Sequence, residues 1–271
     1  MRCPFGSLCL VLFAAGCPSP VAAEPVGEPE PALSPARQIW EQGQHAMQLG
    51  HPDKAIACYE QSLLLDPHFA QAHLSLAAAR LELGDEAGAC PHLGRYVEAK
   101  PTEAAVRGHY AELLFRLKRY REAREQFERF VVDAQELGEA PAKELLHCHA
   151  RLVEVAEWED EAYAEHLHRG IGLLLLARAR AELSDVEKDP VQESLLCKAA
   201  GELTLALQAR REEARPCWYL HEVWSALGQR SLADRWLRDA RAAAPFTYLT
   251  PTEQFSLHLA GCPHSLASSK R

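Results

Sequence analysis

Small and bulky apolar positions recur along this chain with a period of 34 residues. Gly43, Ala77 and Ala111 are spaced by 34, as are Leu49, Leu83 and Leu117, and Ala55, Ala89 and Ala123. Tyr59, Leu93 and Phe127 hold one bulky position in register, and Pro67 and Pro101 close the first two units. A small residue at a fixed place lets two helix backbones approach, and the bulky residue fills the gap beside it. Gly50 and Gly84 follow helical stretches, where a left-handed cap is expected. A further copy runs over 214–245, with Leu220, Trp224, Gly228, Ala233, Leu237, Ala240 and Pro245. Ala199, Leu203 and Ala206 precede Ala233, Leu237 and Ala240 by one period.

A fixed period of this length marks an array of helical hairpins, each burying its face against its neighbours. The small–bulky–Pro pattern resembles the tetratricopeptide repeat, carried three times in phase over 36–134. The resemblance implies an all-α fold: an α-solenoid of helical hairpins forming a right-handed superhelix. Two local departures stand out. Gln135 replaces the closing Pro of the third unit, and Pro91 falls early in a second helix and is expected to delay its start.

From Ala123 to Ala199 there are 76 residues, two periods plus eight. Over 135–213 the apolar periodicity predicts divergent helices near 141–157, 160–183 and 191–210. A lengthened turn at 184–191 is expected to absorb the excess. Residues 246–271 read as a capping helix around 253–259 and a loose tail.

The N-terminus has a different pattern. Arg2 precedes a short apolar run, Phe5 to Ala15, too short to span a bilayer as a helix. Residues 1–23 fit a secretory signal peptide. Val21-Ala22-Ala23 offers cleavage before Glu24, whereas Ala14-Ala15-Gly16-Cys17 resembles a bacterial lipobox and makes Cys17 a candidate for lipidation. Residues 24–35 are rich in Pro and Glu and read as a linker. The expectation is an exported protein of the periplasm or cell envelope, soluble or lipid-anchored.

Composition narrows the function. The 271 residues carry a formal charge of -9, from 29 Lys and Arg against 38 Asp and Glu. Cleavage before Glu24 removes one base and no acid, leaving 28 against 38, or -10. Without a dense basic stripe, nucleic-acid binding is not expected. No glycine-rich phosphate loop, GxSxG or HExxH is present, so the chain does not read as an enzyme and no cofactor is implied.

Four clusters keep two readings each. Glu154, Glu157, Glu159, Asp160, Glu161 and Glu165 form an acidic docking patch or a solvated turn. Arg116, Lys118, Arg119, Arg121 and Arg124 hold an acidic partner or balance neighbouring acids. His147 with His149, and His166 with His168, supply metal ligands or ordinary surface and half-buried rings. Residues two apart on a helix point about 200° apart, so neither pair converges alone. Cys58, Cys90, Cys148, Cys197, Cys217 and Cys262 show no CxxC; Cys58 and Cys90 are placed to bridge or to pack as small apolar groups.

The resemblance implies that the first helix of each hairpin lines a concave groove that holds a peptide or a partner's helix. Carried over, the groove consists of Trp40, Gln44 and Met47, then Leu74, Ala78 and Leu81, then Gly108, Glu112 and Phe115 with His109 beside them. Each set lies on one helix face. Some relatives grip a C-terminal carboxylate there through Lys and Asn. Trp40, Leu74, Gly108, Gln44, Ala78 and Glu112 stand in those places, which speaks against that mode. The expected function is a non-catalytic scaffold or adaptor of the envelope, holding a protein or peptide partner. The alternative is a periplasmic assembly chaperone for a metallo- or haem protein, with histidines as transient ligands.

Overall fold

A computed structural model describes residues 34–137, 142–183 and 189–260. The signal peptide, Cys17, nearly all of the linker, most of the turn at 184–191, Cys262 and the tail from 261 lie outside the described residues. The chain divides into two units, Met1–Ser34 and Pro35–Arg271. The second is all-helical among its described residues. Its first three hairpins are α1 (Pro35–Gln48) with α2 (Pro52–Leu65), α3 (Ala70–Glu82) with α4 (Glu86–Ala99), and α5 (Ala104–Arg116) with α6 (Tyr120–Leu137). Then come α7 (Ala142–Glu159), α8 (Ala162–Leu183) and α9 (Pro190–Ala209), followed by α10 (Ala214–Ala226), α11 (Arg230–Ala243) and α12 (Pro251–Leu259).

Five helix ends share one turn. Gly50, Gly84, Lys118, Asp160 and Gly228 adopt φ of 73°, 79°, 60°, 56° and 72°. The N–H of the next residue returns to the carbonyl five positions earlier: His51 to Ala46, Asp85 to Arg80, Arg119 to Leu114, Glu161 to Ala156, and Gln229 to Trp224. This is the Schellman turn, which satisfies carbonyls that a helix end leaves open. Glycine suits it because a Cβ costs energy at positive φ. The recurrence marks α7–α8 as a hairpin of the same kind, although Asp160 hides it from a search for glycine.

Close approach accounts for the small positions. A Cβ on Gly43 would stand 2.5 Å from the Tyr59 ring, and one on Gly170 would stand 2.7 Å from Leu203. Tyr59 and Leu203 occupy the same bulky place in their units. The core is accordingly strung along the array in three clusters, centred on Tyr59 and Leu76, on Leu114 and Phe127, and on Leu174, Leu203 and Leu220.

The middle of the array differs from a regular one. Two periods would take four helix steps from α6 to α9, and the chain takes three. It uses 18-, 22- and 20-residue helices where α1 to α5 have 13 or 14. The excess therefore resides in the helices as well as in the turn. α8 serves two partners. His168 meets His149 of α7, while Gly170 meets Leu203 of α9. Residues two apart lie on opposite helix sides, so one helix closes both hairpins.

Two local expectations are settled by the helices. Pro91 does not delay α4, which begins at Glu86 and runs through it. At the sixth position the proline forfeits one bond, to the Ala87 carbonyl, and the helix tolerates it, while the Asp85 side chain accepts from Gly88 N–H at 2.9 Å to fix the start. Gln135 lets α6 continue to Leu137, where a proline in the first units ends the helix before it.

At the far end α12 packs against α10, α11 and also α6, so the second half of the array folds back on itself. Glu253 fastens it. Its Oε2 accepts from Thr250 N–H at 2.8 Å within a capping box, and its Oε1 accepts from Arg215 at 3.0 Å and from the Tyr219 hydroxyl at 2.7 Å. The carboxylate is buried, and each of its oxygens accepts from at least one donor.

Candidate functional site

The groove set falls on α1, α3 and α5, and its members divide by exposure. Ala78, Leu81 and His109 are exposed; Trp40, Gln44, Met47, Leu74, Gly108, Glu112 and Phe115 are half-buried. Trp40 Nε1–H and Gln44 Nε2–H both donate to the Ser75 hydroxyl, at 2.9 and 2.7 Å. The Trp40 ring also meets Phe69 edge to face at 5.7 Å. These two side chains thus clamp α1 to α3 as well as lining the face. Gly108 is small because the Phe130 ring stands 3.2 Å from where a Cβ would be.

Glu112 and Phe115 belong to a larger surface than the sequence indicated. Arg151 of α7 grips Glu112 with two nitrogens, at 2.9 and 3.1 Å, and His147 Nε2 joins at 3.1 Å. The Arg151 guanidinium lies 4.5 Å from the centre of the Phe115 ring. Phe115 meets Tyr120 at 5.4 Å, and Tyr120 meets Trp158 at 4.7 Å, leaving Trp158 70% exposed. The face therefore continues from α5 onto α7 as an aromatic row beside a cation. Ser75, Arg151 and Trp158 were not picked out from the sequence. One signal was available: His73 and His92 recur 76 residues later as His149 and His168, the offset that also links Ala123 to Ala199.

The acidic and basic clusters meet through Arg121 and Arg124. Arg124 donates to Glu159 at 2.6 Å and to Glu161 at 2.8 Å, and Arg121 approaches Glu159 at 3.9 Å. Arg151 takes Glu154, Arg169 takes Glu157 and Glu165, and Arg210 takes Glu161. On the other side Arg119 pairs with Glu122, and Arg116 with Glu86. The pairs of Arg116, Arg121, Arg124 and Arg210 join neighbouring hairpins, the others lie within a helix or a hairpin, and most of the charge is spent within the chain. Lys118 is the left-handed residue of its turn.

The histidines separate as helix geometry requires. His149 and His168 meet through their Nδ1 atoms at 3.1 Å, both buried, while His147 goes to Glu112 and His166 to Glu202. Burial, with Arg215 nearby, pulls His149 down to about 3, and burial, His149 and Arg215 pull His168 down as well. Both rings are neutral, one donating to the other. His73 and His92 form a similar contact at 3.0 Å in α3–α4. Among the described residues no three His, Cys, Asp or Glu side chains gather as a metal site. Cys58, Cys90, Cys148, Cys197 and Cys217 are free thiols; Cys58 and Cys90 do not bridge, and Arg119 donates to Cys90 Sγ at 3.1 Å. No described helix is long and apolar enough to cross a membrane.

The tetratricopeptide repeat family profile matches residues 41–104, which run from α1 to the start of α5. No curated protein is significantly similar to the chain. Among solved structures, MamA is 15% identical, with 75% of this chain and 94% of that one covered and a TM-score of 0.37. PilF of Pseudomonas aeruginosa is 16% identical over 83% and 97%, with a TM-score of 0.35. YrrB is 14% identical over 84% and 92%, with a TM-score of 0.36. The matched segment, the period and the recurring turn agree: the described helices form an α-solenoid of hairpins that carries a tetratricopeptide repeat match over residues 41–104.

Proposed function

We propose that this protein is a non-catalytic adaptor of the cell envelope that holds a partner peptide or helix along the face formed by α1, α3, α5 and α7. The observation that carries the reading is the continuity of that face. It runs from exposed Ala78 and Leu81 through Phe115 to Trp158, with Arg151 and Glu112 at its centre. Large aromatic side chains at helical spacing supply most of an interface's energy when a partner covers them. Met47 and Trp40 extend the apolar lining at the other end. Export rests on the N-terminal apolar run. Mass spectrometry of the mature N-terminus decides between Cys17 and Glu24. The chaperone alternative draws no support from its candidate ligands: His149 and His168 are engaged with each other, and His147 and His166 with Glu112 and Glu202.

The test uses exposed groove positions, because Trp40 and Phe115 also hold helices together. Ala78→Arg with Leu81→Asp places two charges on the face and touches no packed residue. Partners that co-purify with the wild-type protein are expected to be lost from this variant, with far-UV helicity unchanged. Retention of the same partners by a folded variant refutes the groove.

A further inference from the structure

α12 stands one period after α10: Val223 and Leu257 are spaced by 34, and both are buried. One side of α10 receives α11. Leu220, Val223 and Trp224 pack in one cluster with Leu237 and Ala240, and the Ala233 carbonyl lies 3.0 Å from His221 Nδ1. Moved on by one period, Leu220, His221, Val223 and Trp224 become Gln254, Phe255, Leu257 and His258. Among the described residues α12 has no second helix on that side. Gln254, Leu257 and His258 instead line an open cleft of about 650 Å3, opposite Arg241, Ala244 and Pro245 at the end of α11. Phe255 beside it is 64% exposed.

The residues after α12 carry the pattern of the missing helix. Ser265-Leu266-Ala267 repeats Ser231-Leu232-Ala233 of α11 one period later. Ala267 thereby continues the small position that Ala199 holds in α9 and Ala233 in α11. Gly261 and Pro263 punctuate the chain between α12 and this stretch, as a turn requires. We propose that residues 264–269 fold back as the first turns of a second helix and seat in the cleft between α11 and α12. Ala267 lets the two backbones approach and covers Phe255, as Ala233 meets His221 in the hairpin before. The pattern stops at Lys270 and Arg271, which stand where Trp236 and Leu237 do, so the seated segment is short. Gln254 and His258, in place of Leu220 and Trp224, also make the seat more polar. A short segment on a partly polar seat opens readily, unlike the helices of the core. None of the groove residues lines this cleft, so it stands independently of the groove.

Hydrogen exchange of the full chain tests this, read on the peptide 261–271 and compared with the same sequence as a free peptide. Exchange is expected to be about tenfold slower in the full chain. Phe255→Ser changes an exposed side chain of the seat, and Ala267→Arg fills the point of closest approach. Each is expected to return the segment to the free-peptide rate, while α10 and α11 keep their protection. Free-peptide exchange in the wild-type chain, or slowing that survives either substitution, overturns the proposal. Slowing that grows with protein concentration also overturns it and makes a second copy of the chain the occupant of the cleft.

Discussion

Lys118 stands where Gly50, Gly84 and Gly228 stand, with the same left-handed backbone and the same returning hydrogen bond. A side chain there costs about 1–2 kcal/mol relative to glycine. Lys118→Gly is therefore expected to stabilise the protein by about 1 kcal/mol, read as a higher urea midpoint, and Gly84→Ala to lower it by a similar amount. The buried His149–His168 pair gives a pH dependence. Unfolded histidines titrate near ~6.5, whereas these rings stay neutral in the fold. Below that pH the unfolded chain takes up protons that the folded chain refuses, so stability falls as the pH drops towards His149's value of about 3. The slope is about 1.4 kcal/mol per pH unit for each ring. Comparing midpoints at about pH 7.5 and about pH 5 for wild type and His149→Leu with His168→Leu checks it. The double variant is expected to lose most of the dependence. Single residues also set what was legible. The glycines and alanines of the first hairpins announce their turns and contacts. Asp160 makes the same turn without announcing it.

At the scale of elements, the 34-residue period was readable because small and bulky positions meet in every regular hairpin, as Gly43 does with Tyr59. The period fades over α7 to α9 for a physical reason. One long helix there serves two hairpins, so its buried positions answer to two neighbours and obey neither register. Gly170→Ala tests this sharing. It is expected to cost about 1–3 kcal/mol by pushing on Leu203, and Leu203→Ala in the same chain is expected to recover part of the loss. Additive losses in the double-mutant cycle would show that α8 and α9 do not meet at this point. The groove was legible on α1, α3 and α5, where the register is regular. Its continuation through Arg151 and Trp158 on α7 was not.

The whole molecule is an array whose second half closes through α12. Arg215 and Glu253 form a buried ion pair, and removing one partner strands the other. Glu253→Ala is expected to cost about 3–5 kcal/mol. Because each repeat depends mainly on its neighbours, hydrogen exchange is expected to rise in α10 to α12 and in the facing end of α6, and to stay low in α3 and α4. The open face of the first half is then the surface left for a partner. Photocrosslinking in living cells tests this most directly, with a photoreactive residue placed at Ala78, at Trp158, or at Leu64 on α2, which is 83% exposed. The account predicts one shared adduct from Ala78 and Trp158 and none from Leu64. The same adduct from Leu64, with none from the other two, would contradict it.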